Sequence, residues 1–373
     1  MQYTLSMRLF CIFLFLTHFS LVAWGKDLTC PRLLNTVLTN TSYDQPVGLT
    51  TELSTSNTIF LGYGSSQFNS TYLEILKNLS PEVQVILIVL KPHRADEHFQ
   101  LIMQSHPNIR VVIDESSHAR LWTRDWVPQK VVRPDGSIEY VSMSYGSTAF
   151  ASMYLMKTLN FPFYLSYLSG EMGNIETDGK GRLFTTTKIF EDNIKGYQES
   201  GDASELESER LRVVDELKKA FSVNEVVVLP THPADDNVKH VDLLIKYVGP
   251  VDGEDTFLVT DSISPEVKLV LDQVSDRVKR LGYRVIRVLE HEKQPNIGAM
   301  GFVNSLIFNG TVFMPVYSAG FENDPDVQER LLFLENNARG IYESLGFTVV
   351  NVDSFQPIQN GGAVHCLSCT TNL

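Results

Sequence analysis

Strand-like apolar runs alternate with amphipathic helical runs from residue 58 to residue 352, and no other feature limits the possible folds as much. Thr58 to Tyr63 and Val83 to Leu90 read as buried strands, the second broken only by Gln84, with a short helix between them over Tyr72 to Leu79. A helix over Glu97 to Ser105 and a strand over Ile109 to Ile113 are predicted next. The pattern returns as helices over Glu205 to Phe221, Pro265 to Leu281 and Pro325 to Leu345. Each leads into a strand, over Glu225 to Leu229, Tyr283 to Val288 and Thr348 to Val352. No Pro-, Gly- or Ser-rich stretch interrupts this body, so one α/β domain is predicted over residues 57–373, after a polar segment at 26–56. Gly62-Tyr63-Gly64 lacks the further glycine or Lys-Ser/Thr of a phosphate-binding loop and reads as a simple turn.

The first 25 residues stand apart. Arg8 precedes an apolar run from Leu9 to Trp24, and Ala23-Trp24-Gly25 places small residues at −3 and −1 of a cleavage point. A secretory signal peptide over residues 1–25 is predicted, hence a secreted or otherwise exported protein. The run is shorter than the roughly 20 residues a spanning helix needs, so no membrane association is expected after cleavage. Lys plus Arg number 31 against 44 Asp plus Glu, a formal charge of −13. With no Lys/Arg cluster to make a local basic face, nucleic acid is excluded as a partner. Removing the leader also removes Cys11, which leaves Cys30, Cys366 and Cys369. An odd count in an exported chain implies a free thiol or an intermolecular pair. Asn40, Asn69, Asn78 and Asn309 open glycosylation tripeptides, which matter only in a eukaryote.

Four polar clusters follow or separate the apolar runs. Trp122-Thr123-Arg124-Asp125-Trp126 uses two of the three tryptophans. It reads either as a surface ion pair or as a carboxylate in an aromatic-walled pocket for a planar cation. Gly170 to Gly179 holds Glu171, Glu176 and Asp178 among glycines, which suits a hairpin turn or close approach to a ligand. Asp235 to Asp242 contains His240 and Asp242, whose i, i+2 spacing on a strand would point both into one cleft for acid–base work. His-x-Asp also resembles part of a metal site, but His232 is not at a usual ligand spacing and no Cys is near, so no metal is predicted. At the C-terminus, Gly361 to Cys369 offers a Cys-x-x-Cys redox pair or a nucleophilic Cys366 among glycines. A redox pair should open a helix near the chain start, which favours the nucleophile.

Taken together, these segments resemble the guanidine-modifying enzymes of the pentein superfamily, closest to the branch of agmatine deiminase and the Porphyromonas-type peptidylarginine deiminases. The matching stretches are Trp122 to Asp125, Met172 to Gly179, His240 to Asp242, Val303 to Leu306 and Gly361 to Cys366, in family order. Met172 stands where the family commonly has the first of two glycines, and Trp126-Val127-Pro128 where agmatine deiminases usually continue with a small residue and Gly-Pro. The resemblance implies a pentein fold, a pseudo-five-fold α/β propeller of ββαβ modules around a central active site.

The resemblance also implies roles. Asp125 and Asp242 would pair with the guanidinium, Cys366 would attack its carbon, and His240 would protonate the leaving amine and then activate water. Asn304 would orient the site or hydrogen-bond the substrate, while Trp122, Glu171 and Asp178 are further substrate-binding or loop-positioning candidates. No metal or organic cofactor is implied. The substrate expected from export is an arginine residue of a peptide or protein, converted to citrulline with release of ammonia. Agmatine, converted to N-carbamoylputrescine for polyamine synthesis, is the alternative small-molecule guanidine. Amidinotransfer, a catalytically silent secreted binding protein and a thiol–disulfide protein are the remaining alternatives; the intact Asp125, His240, Asp242, Asn304 and Cys366 set speaks against the silent protein.

Overall fold

The computed structural model describes residues 47–64, 66–90, 97–115, 118–197, 203–234, 238–294 and 297–371. The predicted signal peptide, Cys11, Cys30, the tripeptide at Asn40 and Asp235 to Asn237 lie outside the described residues.

The strands are β1 (Gly48–Leu49), β2 (Thr58–Tyr63), β3 (Gln84–Leu90), β4 (Ile109–Asp114), β5 (Gln129–Val132), β6 (Ile138–Ser144), β7 (Phe163–Ser169), β8 (Glu176–Thr177) and β9 (Arg182–Thr186). They continue as β10 (Glu225–Leu229), β11 (Ile245–Val251), β12 (Glu254–Asp261), β13 (Arg284–Leu289), β14 (Leu306–Phe308), β15 (Thr311–Val316), β16 (Thr348–Asp353) and β17 (Ser368–Thr371).

Among the described residues these form five sheets, ordered β17-β2-β3-β4, β1-β5-β6-β7, β10-β9-β8, β11-β12-β13 and β14-β15-β16. One rule generates all of them. Two strands pair antiparallel, a helix crosses over, and a third strand lies parallel to the second: β5-β6-β7, β8-β9-β10, β11-β12-β13 and β14-β15-β16. In the first module the opening strand comes from the far end of the chain, since β17 pairs antiparallel with β2 in the register Ser368↔Leu61 to Thr371↔Thr58.

The crossover helices end where local chemistry says they should. Pro325 opens the helix Pro325–Ser344, and the Asp324 side chain accepts from the Val327 N–H at 3.3 Å. Pro265 likewise opens Pro265–Arg280. Strands β2 and β3 are apolar on both faces because their own helices and the fifth module cover one and the second module covers the other.

The core is divided the same way. Among the described residues, five clusters of buried side chains each join two consecutive modules. Phe60 and Ile86 of the first meet Tyr140 and Leu155 of the second, and Val141 and Leu168 meet Leu183 and Val213 of the third. Phe184 and Val227 meet Phe257 and Val259, Leu258 and Val288 meet Val312 and Leu331, and Phe308 and Phe313 return to Leu61 and Val85. The fifth module therefore packs on the first, and the modules form the closed pentein ring. Each module leaves part of its apolar surface to be buried against its neighbours, so none is expected to fold alone.

Residues 47–56, predicted to lie outside the domain, are part of it: β1 pairs with β5 through Gly48↔Val132 and Leu49↔Val131. Their polar composition conceals this because their contacts are a strand edge and a set of ion pairs. Gly62 is inside β2 and not in a turn. A Cβ there would lie 2.6 Å from the Leu121 carbonyl, so glycine allows the loop after β4 to close over the strand.

Candidate active site

Every candidate residue except Asp178 sits in a segment that leaves the last strand of one module for the next. Trp122 and Asp125 follow β4, Glu171 follows β7, His240 and Asp242 follow β10, Asn304 follows β13 and Cys366 follows β16. The closed ring brings the five segments to one cavity of about 720 Å³, lined by Trp122, Asp125, Glu171, His240, Asn304 and Cys366 among others. Motifs spread over residues 122–366 converge for that reason.

The local packing is tight. The turn Thr123–Trp126 is tied down by Thr123 Oγ1, which donates to the Leu367 carbonyl at 2.7 Å, and by Trp126 Nε1, which donates to the Arg120 carbonyl at 3.0 Å. Asp125 is thereby fixed at the cavity and the indole of Trp126 is buried. Gly173 is required by close approach: a Cβ there would lie 2.6 Å from His240 Nδ1 and 2.9 Å from Asp125 Oδ1. Met172, in the position where the family has its first glycine, is buried at the start of the short turn Met172–Asn174 without touching this contact. Gly362 has the same function on the other wall, where a Cβ would strike the Trp122 ring at 2.6 Å and Cys366 Cβ at 3.0 Å.

Cys366 Sγ lies 3.4 Å from Asn304 Oδ1 and 3.7 Å from Asp242 Oδ2. The His240 Nε2–H donates to Glu171 Oε2 at 2.8 Å, which leaves Nδ1 3.7 Å from Asp125 Oδ1. Three buried atoms here have no hydrogen-bond partner: Asp125 Oδ1, His240 Nδ1 and Asp242 Oδ1. Buried polar atoms without partners are costly; Asp125 and His240 line the cavity and Asp242 lies behind it against Cys366, an arrangement suited to a polar ligand.

The electrostatics suit a cation. Burial, together with the Glu171 and Asp242 charges, pushes the Asp125 carboxyl up to about 7 against the opposing pull of His240. Burial opposes the charge on His240, but the Glu171 hydrogen bond and the Asp125 and Asp242 carboxylates override it and raise the imidazole to about 9. Glu171 is held down at about 2 despite burial, by His240, a hydrogen bond from Tyr145 and the charge of Lys188. Asp242 is lowered against burial by His365 and His240. Burial and the Asp242 and Asp125 charges raise the Cys366 thiol well above its usual range, so it rests protonated. A guanidinium placed between the two aspartates would reverse that last effect and favour the thiolate.

Asp178 does not reach the cavity. Its Oδ1 accepts from the Lys180 and Arg182 N–H groups at 2.8 and 3.0 Å, and its Oδ2 from the Tyr283 hydroxyl at 2.6 Å. Asp178 closes the β8–β9 hairpin, so of the two options for residues 170–179 the turn option describes Asp178, while Glu171 at the other end of the stretch lines the cavity. Replacing Asp178 by Ala leaves three donors unsatisfied and is expected to cost about 1–3 kcal/mol each at most, with kcat/KM unchanged. A thermal melt beside a turnover assay checks this; a melt as in wild type with lost turnover would return Asp178 to the site.

His240 and Asp242 are not on a strand. His240 is the extended residue before the turn Val241–Leu243, and Asp242 lies within that turn. His240 still lines the cavity and Asp242 Oδ2 lies 3.7 Å from Cys366 Sγ, and the segment is anchored by Asn174 Oδ1, which accepts the Val241 N–H at 3.1 Å. Asn304 is in the bend before β14. Cys369 is in β17, unbonded and buried, where its sulfur accepts from Gln129 Nε2 at 3.2 Å; it faces the core, not Cys366. Among the described residues no three His, Cys, Asp or Glu side chains are grouped to hold a metal ion.

Four participants carry no motif. Tyr145 and Lys188 hold Glu171, Lys188 at 3.5 Å, and Tyr317 lines the cavity near Cys366. Glu52 comes from the segment predicted to lie outside the domain and reaches Arg124, Lys246 and His365 beneath the cavity.

No curated protein matches this chain. Solved structures share its fold. An agmatine deiminase from C. jejuni superposes with a TM-score of 0.67 at 16% identity, covering 90% of this chain and 99% of that one. The agmatine deiminase of Enterococcus faecalis superposes with a TM-score of 0.62 at 16% identity, covering 90% and 98%. The model of one sequence family matches residues 57–371, which takes in all five modules and every residue around the cavity except Glu52, and the chain therefore belongs to the Porphyromonas-type peptidyl-arginine deiminase family, hydrolases of amidine C–N bonds.

Proposed function

We propose that the protein hydrolyses the guanidinium of arginine residues in exported peptides or proteins, giving citrulline and ammonia through a covalent Cys366 intermediate. The observation that carries the reading is the trio of unpartnered atoms, Asp125 Oδ1, His240 Nδ1 and Asp242 Oδ1, around the Cys366 thiol. A guanidinium is planar, permanently charged and rich in N–H donors, which matches the two carboxylate acceptors, Asp125 and Asp242, whose charges both act on the Cys366 thiol.

The steps balance as follows. The guanidinium enters between Asp125 and Asp242, and its charge lowers the Cys366 thiol so that the thiol proton passes to solvent as Sγ bonds to the guanidinium carbon. The imidazolium of His240 gives its Nδ1 proton to the departing nitrogen, the C–N bond breaks and ammonia leaves a thiouronium. Neutral His240 then takes a proton from water and the hydroxide adds to the same carbon; as the C–S bond breaks, the hydroxyl proton of the adduct passes to the departing sulfur, which releases the ureido product and restores the Cys366 thiol. Glu171 keeps Nε2 protonated throughout, so Nδ1 is the nitrogen that cycles. Asn304 holds Sγ in line.

Export supports a peptide substrate, because residues 1–25 have the layout of a secretory signal. Agmatine is the second reading, favoured by the names of the superposed enzymes, one of which has been solved as a Cys-to-Ser form with substrate bound. Glu290, which lines the same cavity, would suit the free amine of such a substrate. Ammonia release and product mass are to be measured with an arginine peptide, free arginine and agmatine side by side. Citrulline in the peptide at the highest kcat/KM is the expected result, and N-carbamoylputrescine as the preferred product would reverse the order.

A further inference from the structure

Beneath the cavity runs a chain of buried ion pairs that the chemistry above does not use. His365 lies between two carboxylates, with Nδ1 at 2.7 Å from Asp242 Oδ2 and Nε2 at 3.0 Å from Glu52 Oε1. Glu52 is itself held from several sides. Arg124 Nη2 pairs with Oε1, while Lys246 Nζ and the Ile307 N–H each reach Oε2 at 3.1 Å. These partners belong to the segment after β4, to β11, to β14 and to the segment before β17, so one carboxylate ties four parts of the ring together. Glu176 is the other acid nearby, 4.0 Å from Lys246 Nζ.

We infer that Glu52 is a positioning residue for the deimination: through His365 it fixes the carboxylate of Asp242, and with it the guanidinium, against Cys366. The inference rests on the deiminase reading above. An ionised carboxylate only accepts hydrogen bonds, so a ring nitrogen facing one donates to it, and two such bonds fix both the plane and the rotamer of His365. Asp242 Oδ2 is shared between His365 Nδ1 and Cys366 Sγ, and it keeps its place only while the ring keeps its own. Oδ1 is then left for the substrate. Without Glu52 the imidazole loses one of its two anchors, Asp242 can turn, and the guanidinium carbon leaves the line of attack. Asp125 still holds the cation, so binding suffers less than turnover.

The test compares wild type, Glu52→Gln, His365→Asn and the double variant on the best guanidine substrate of the wild type. The folded fraction is taken from thermal melts. Glu52→Gln keeps the shape and removes the charge; the Asn amide at 365 still donates toward Asp242 but does not reach Glu52. Each single variant should lower kcat per folded chain by roughly 10²-fold, the cost of a small misplacement, with KM changed far less. The double variant should fall no further, because both changes cut the same link. If Glu52→Gln does not fold, His365→Asn alone must show the fall in kcat with KM preserved. Unchanged kcat per folded chain, or effects that multiply in the double variant, would overturn the inference and leave Glu52 a purely structural ion-pair partner. A wild type inactive on every guanidine sinks the deiminase reading itself and takes the relay with it; with an active wild type, only the variants decide.

Discussion

Replacing Cys366 by Ser is expected to reduce ammonia release by roughly 10⁴-fold or more while the fold and guanidinium binding persist. The thiol is buried at 3% exposure between Asn304 and Asp242, and a hydroxyl fits the same space and keeps both polar contacts. The thermal midpoint should therefore move by only a few degrees at most, a change of about 1 kcal/mol. Turnover fails because a serine hydroxyl is a far weaker acid than a thiol, and the substrate cation that brings Cys366 to its thiolate cannot do so for serine. Rapid acid quenching and mass analysis of wild type should find the substrate, less ammonia, attached to the peptide that ends the chain. Cys369→Ser is the matched control, since Cys369 is equally buried but packs with the core side chains Phe60 and Trp126. It should retain turnover. An adduct on Cys369, or substantial activity in Cys366→Ser, would dismantle the proposed mechanism; activity in Cys369→Ser removes the thiol–disulfide alternative.

The fold was legible because its main determinant is periodic. Parallel strands buried on both faces must be apolar runs, and crossover helices must be amphipathic, so β2, β3, β10 and the helices Pro265–Arg280 and Pro325–Ser344 are visible from residue order. The closure of the ring is not. The pairing of β17 with β2 joins residues about as far apart as the domain allows, and no local pattern encodes it. At the site, Cys366, His240, Asp125, Asp242 and Asn304 were recognisable because the family motifs are compact. Tyr145 and Lys188 reach Glu171, and Glu52 reaches His365, each from another segment, and each looks like an ordinary polar residue in its own neighbourhood. Glu52 was hidden further by the Thr- and Ser-rich stretch around it, which reads as solvent-facing chain until β1 is seen to pair with β5. Asp178 misled in the opposite direction: an acid beside a glycine in a motif-bearing stretch served the turn, and Glu171 at the other end of the stretch served the site.

Activity against pH should follow a bell whose limbs are set by Asp125 and His240, and His240→Asn should remove the alkaline limb. In the free enzyme kcat/KM requires Asp125 ionised, to accept from the guanidinium, and His240 protonated, to supply the leaving nitrogen. Asp125 sits at about 7, so kcat/KM rises as pH passes upward through that value; His240 sits at about 9, so kcat/KM falls as pH passes through it. Glu171, at about 2, stays ionised across the whole range. In His240→Asn the proton donor and the water-activating base are both gone, and the loss should be roughly 10²–10⁴-fold at the optimum. The variant also lacks the positive charge that pulls Asp125 down, so the remaining acid limb should move above about 7. The sign of that movement is the sharper test, because it follows only if His240 is charged beside Asp125 in the resting enzyme. An acid limb that moves to lower pH, or an alkaline limb near 9 that survives in His240→Asn, would take the proton transfer away from His240.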